Sequence, residues 1–250
     1  MKMELFDRQT VESLGARLDI QPKHVALFFP AGGTLAVQTD ISIPTAIQAQ
    51  IARVALEVLK VSNAVDITNK DQDLTSTGKL NRRRALEVER LKAVKALEGA
   101  ERYANDLSAL ARVAEETLYQ APPLEATDAA GALVDREIRD YFRTLAGDAL
   151  TEPLNDLQAG KLPRQLLALM RSPVPISELI DRVTEQSWED FLQSQKAQQF
   201  QTVNNDRAIA AWAVGACAQL RTQLDKLAFF DPDAALISGR PVIRPASMAA

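Results

Sequence analysis

A nucleophile–base pair, a zinc site and a di-iron site all draw on histidine or cysteine, and this 250-residue chain has one of each, His24 and Cys217. His24 stands beside the apolar run Val25–Phe29, and Cys217 lies inside the apolar run Ala208–Ala218, so both read as packed residues. Burial raises a thiol pKa and closes access to it. One His and one Cys cannot furnish a zinc site, and a lone His cannot supply the paired Glu-x-x-His ligands of a di-iron bundle. Asn69, Asp71 and Asp73 alternate like the opening of a calcium loop, but Leu74 holds the sixth place, which needs glycine, and Leu80 the twelfth, which needs glutamate. Ser76-Thr-Gly-Lys79 lacks the upstream glycine of a phosphate loop and is followed by Leu80 instead of Ser or Thr, while Ala31-Gly-Gly-Thr34 is too short for a dinucleotide fingerprint. The reading is therefore non-enzymatic, with no catalytic residue, cofactor or metal ligand.

One charged feature remains. Lys79, Arg82, Arg83, Arg84, Arg90, Lys92, Lys95 and Arg102 outnumber Glu87, Glu89, Glu98 and Glu101 in the same stretch. Arg82, Arg83 and Arg84 are the candidate contact for phosphate or for an acidic partner. No aromatic residue interleaves with this run before Tyr103, so there is no stacking platform for single strands, and pairs such as Glu87–Arg90 and Glu98–Arg102 suit a solvated helix face. The net charge of −4 does not favour non-specific attraction to nucleic acid.

These residues sit on a helical framework. Between Pro44 and Pro122 there is no proline, and the only glycines are Gly78 and Gly99. Apolar residues recur there at steps of three and four. The first set is Ile47, Ile51, Val54, Val58 and Val61; the second is Ala93, Leu97, Ala100, Ala104, Leu107, Ala111, Ala114 and Leu118. Such a stripe faces a partner helix, and alanine in the seam allows a close one. The spacing predicts a helix from Pro44 to about Val65, a polar connection over Asp66–Thr77, and a second helix from Thr77 or Lys79 to Tyr119. Before them, residues 4–19 have helical spacing, and two short apolar runs around Gly32-Gly33 predict a β-hairpin over 24–41. After Pro122-Pro123 the helices shorten: Thr127–Leu145, Glu152–Ala159, Pro163–Arg171, Ile176–Gln193 and Val203–Ala228.

The fold class is thus mainly α: a long antiparallel helical hairpin plus a compact bundle of shorter helices, with one short β-hairpin near the N-terminus. The domain boundaries are 1–43, 44–121, 122–228 and an extended C-terminal arm, 229–250. The arm carries Pro232, Pro241 and Pro245, with Phe229, Phe230, Leu236, Ile237, Val242 and Ile243 as apolar anchors for contact between subunits. The longest apolar run, Ala208–Ala218, is shorter than the ~18 residues a membrane span needs. Met1-Lys-Met-Glu-Leu-Phe-Asp places acidic residues where an export signal would be apolar, so export by a signal peptide is not expected.

Over residues 78–147, Leu80-Asn-Arg-Arg-Arg-Ala-Leu-Glu-Val-Glu-Arg-Leu-Lys is followed by an alanine-rich helix, then Pro123-Leu-Glu-Ala-Thr-Asp, then a helix ending Ile138-Arg-Asp-Tyr-Phe. This resembles helical-hairpin proteins of unassigned role encoded by tailed bacteriophages. The Lys/Arg-rich extension that often follows the tyrosine in that family is missing. The resemblance implies a phage or prophage origin and no activity. Two expectations follow: a virion component that forms a homo-oligomer or joins other structural proteins through hairpin and arm, or an intracellular phage-encoded binding protein acting on DNA metabolism or on a host enzyme. Virion or host cytoplasm is the matching location.

Overall fold

The computed structural model describes residues 6–21, 23–38 and 42–228, of which helix takes 73%. The mainly α expectation holds, with a small antiparallel sheet near the N-terminus. Two compact units divide the chain: Met1–Asp106 with Ile209–Ala250, and Leu107–Ala208.

In the first unit, helix α1 (Arg8–Ser13) starts where the Asp7 carboxylate accepts from the Thr10 N–H at 3.0 Å. The helix expected over 4–19 stops there among the described residues. Leu14 caps it, and Gly15, at φ 71°, turns the backbone in a left-handed conformation that glycine adopts without penalty. Leu18 and Ile20 then join strand β1 (Arg17–Ile20), which the helical spacing had concealed. Strands β2 (His24–Phe28) and β3 (Thr34–Gln38) form the expected hairpin, and β1 adds a third strand in the order β1-β2-β3, all antiparallel. Leu27 pairs with Leu35 across the ladder and both are fully buried. The expected strand residues 39–41 lie outside the described residues.

Helix α2 (Thr45–Lys70) buries Ile47, Ile51, Val54, Val58 and Val61, the stripe read from spacing. It runs past Val65 because the polar residues find helical partners: Thr68 Oγ1 donates to the Ala64 carbonyl at 2.8 Å and Lys70 pairs with Asp66 at 2.8 Å. Helix α3 (Ser76–Tyr119) turns back along α2, with Lys79 Nζ donating to the Asn69 carbonyl. In this unit Ala93, Leu97, Ala100 and Ala104 of its seam are buried.

Helix α8 (Ala197–Lys226) begins six residues before the expected Val203. Its part in this unit runs antiparallel to α3, where Arg221 donates to both carboxylate oxygens of Glu101 and Arg90 Nη1 donates to the Leu224 carbonyl. The hairpin therefore has a third helix against it. The same helix seals the open edge of β3. Gln219 accepts from the Ala36 N–H at 2.8 Å and donates to the Ala36 carbonyl at 3.0 Å, and Trp212 Nε1 donates to the Gln38 carbonyl at 3.2 Å. With its amide oriented to satisfy both ends, Gln223 donates to the Gly32 carbonyl at 3.1 Å and accepts from the Thr34 N–H at 3.2 Å. Side chains thus occupy the positions a fourth strand would fill.

In the second unit, helices α4 (Ala129–Thr144), α5 (Thr151–Gln158), α6 (Pro163–Met170) and α7 (Glu178–Gln195) surround a core that includes Phe142, Leu157, Leu169, Trp188 and Leu192. A 3-10 turn, Gly147–Leu150, leads into α5. Asp128 and Ser177 cap α4 and α7, and Pro163 opens α6 at the position that tolerates it. Trp188 Nε1 donates to the Tyr119 carbonyl at 2.8 Å, and its ring stacks on Phe191 at 5.1 Å between centroids. Asp135, almost fully buried on α4, forms ion pairs with Arg164 at 2.7 Å and Arg171 at 3.1 Å. Arg171 also donates through Nε to the Pro122 carbonyl at 2.6 Å, which fixes the turn after α3.

Candidate functional site

His24 is exposed at the start of β2, whereas Cys217 is buried on α8 with 2% of its surface accessible. Burial pushes the thiol up to about 11; the Glu101 carboxylate adds to the rise and Arg221 opposes it. Among the described residues no group of three or more His, Cys, Asp or Glu is placed to hold a metal ion, and no helix is long and apolar enough to cross a membrane.

The α2–α3 turn holds two of the three candidate arginines. Arg82 lies 3.8 Å from the Asp71 carboxylate, and Arg83 donates to the Asn69 side-chain oxygen. Asp71 and Asn69, read from sequence as turn residues, thus tie α3 to the end of α2. Arg84 is exposed and has a polar partner of its own. A shallow cleft beside this turn is lined by Val61, Val65, Asn69, Arg83, Leu86 and Lys226. Within it Glu87 takes the Arg90 guanidinium on both oxygens, so charges of both signs meet there. Arg83 Nε is buried with no hydrogen-bond partner among the described residues.

A second cleft, in the Leu107–Ala208 unit, combines Val134, Ile138 and Tyr141 with the carboxylates Glu137, Glu152 and Asp156. Lys161 pairs with Asp156 at 2.8 Å, and that contact raises the Lys161 pKa. Its lining mixes apolar side chains with carboxylates, and no nucleophile stands next to a base among those lining residues.

Among the described residues, α3 carries a group of exposed large apolar side chains. Val88, Leu91, Leu110 and Val113 are exposed by 57%, 49%, 67% and 53%, and Tyr103 by 38%. At about 100° per residue Val88, Leu91 and Val113 fall on the face opposite the buried seam, while Leu110 and Tyr103 lie toward its flank. Charges break their spacing and hide them behind the regular seam; the signal that finds them is a second row of apolar residues away from that seam. The arm anchors Phe229, Phe230, Leu236, Ile237, Val242 and Ile243 lie outside the described residues.

No family model, curated protein or solved structure matches the chain, so none links residues 78–147 to phage-encoded helical-hairpin proteins.

Proposed function

We propose that this chain is a non-enzymatic assembly protein that self-associates through its long helices, with the C-terminal arm as an auxiliary contact. The observation that carries the reading is the exposed apolar surface of α3, where Val88, Leu91, Tyr103, Leu110 and Val113 stand in solvent outside the seam that is already packed. A helix apolar on two faces suits a second partner, because water-exposed apolar area is recovered by association. A role as a phage virion component rests on the resemblance of residues 78–147 alone.

Light scattering on the full chain across a hundredfold concentration range tests self-association. A mass at or above twice 27.4 kDa supports the reading. A 27.4 kDa monomer at the highest concentration overturns it.

A further inference from the structure

The outer face of α3 has an internal order that the exposed hydrophobic residues alone do not reveal. Val88 and Leu91 stand at one end and Leu110 and Val113 at the other; between them the same row passes through Lys95, Gly99, Arg102 and Asp106. All are exposed. The steps along the row are 3, 4, 4, 3, 4, 4 and 3, which read the same from either end. The chemistry is mirrored too, with two apolar residues at each end, a cation and an anion at matching distances from the middle, and a glycine matched to an arginine at the centre.

Two helices with the same rise per residue keep register when they run antiparallel. Laid on its own reverse, this row sets Val88 against Val113, Leu91 against Leu110, Lys95 against Asp106 and Gly99 against Arg102. Beside the row, Glu98 comes level with Tyr103. A pattern complementary to its own reverse is what an isologous two-fold interface requires. The 3-4-4 step repeats every eleven residues, or about 3.67 per turn, so two such helices stay in contact with only a slight right-handed coil. The row is about 38 Å long at 1.5 Å per residue.

Gly99 supplies the independent observation. Glycine weakens a helix interior, and among the described residues no atom of a neighbouring element lies within 4 Å of where its Cβ would stand, so no packing among them calls for a glycine there. Lys95 and Asp106 also make no ion pair among the described residues. A second helix crossing at Gly99 accounts for all three, since the missing side chain leaves room for the partner's guanidinium.

We propose that α3 docks antiparallel on the α3 of a second copy through this row, with the two-fold axis between Gly99 and Arg102. The inference rests on the self-association reading and gives it a surface, a register and a partner.

Cysteine pairing reads the register directly. In a full chain carrying Cys217→Ala, Leu91→Cys and Leu110→Cys proteins are treated with a short bis-maleimide, separately and mixed. The mixture should give covalent dimer and either protein alone should give little, because position 91 meets position 110 and never itself. Charge reversal is the second measurement. Lys95→Glu or Asp106→Lys alone should weaken the dimer about tenfold or more by setting like charges together twice per interface, and the double variant should restore it. Efficient cross-linking of either single-cysteine protein, or a double variant weaker than both single ones, overturns the register. If the chain forms oligomers that none of these changes affects, the interface lies elsewhere and self-association survives. If light scattering finds only monomer, both readings fall.

Discussion

Alkylation of Cys217 tests how tightly α8 is packed. With its thiol pushed up to about 11 by burial, the folded protein should resist iodoacetamide at pH 8 and react only after unfolding. The same shift fixes a pH dependence. Between the ordinary thiol value of 9.0 and about 11 the folded state keeps a proton that the unfolded state has released, so stability should fall as pH rises through that window, by up to about 1.4 kcal/mol per unit. Denaturant titrations of the parent and of Cys217→Ala should diverge there and run parallel below it. Asp135 is the other residue with a sharp expectation. Its carboxylate is 2% exposed and faces two arginines, so Asp135→Ala leaves Arg171, itself only 15% exposed, without its counter-charge. The expected loss is about 3 kcal/mol by chemical denaturation, and a loss under about 1 would mean that water already screens the cluster. The two residues differ in legibility. Cys217 was readable because its apolar neighbours are adjacent in sequence, whereas the partners of Asp135 come from α6 and its cap, and no local pattern announces them.

Among the elements, the seams were legible and the sheet edge was not. Ala104 and Ala111 are buried at 2% and 5%, as their 3-4 spacing required. Ala104→Leu or Ala111→Leu should overpack the close contact and cost about 1–3 kcal/mol in thermal unfolding; parent-like melting of both would place the alanines in solvent. The cover over β3 depends on Gln219 and Gln223, which spacing alone reads as polar surface. Periodicity reports which face is apolar, but it does not report that an amide one helical turn from another will match the N–H and C=O groups of a strand. Gln219→Leu removes both bonds to Ala36 and should lower stability by about 0.5–1.5 kcal/mol per bond, with faster amide exchange at Ala36 as the local sign. Gly33 is constrained by its φ of +97°, and a Cβ there would also displace the end of the Gln223 side chain from its place on the strand edge. The helix expected over 4–19 failed for a related reason. Leu18 fits both a helical stripe and an alternating strand, and Gly15 decides between them through backbone conformation.

For the molecule as a whole, mainly α character was legible because few glycines and long unbroken 3-4 spacing leave little else to form. Function was less so. A chain with one histidine and one cysteine offers little to several chemistries, but the exposed apolar row on which the proposed self-association rests is visible only after the packed face has been separated from the exposed one. That separation gives the last prediction. When the folded state is a dimer and the unfolded state is not, mass action makes thermal stability depend on concentration. Two 250-residue chains unfolding together carry enough entropy that each tenfold increase should raise the α3 melting transition by about 1–2 °C. The double substitution Leu91→Glu with Leu110→Glu changes only side chains that stand in solvent in the single chain, at 49% and 67% exposure. It should leave helix content unchanged, because glutamate is a good helix former, and abolish the concentration dependence. Circular dichroism melts at 1 and 100 µM, two tenfold steps apart, with a spread of about 2–4 °C for the parent and none for the variant, would show that the second apolar face of α3 is an interface. A parent transition that does not move with concentration would remove self-association from the account of this fold.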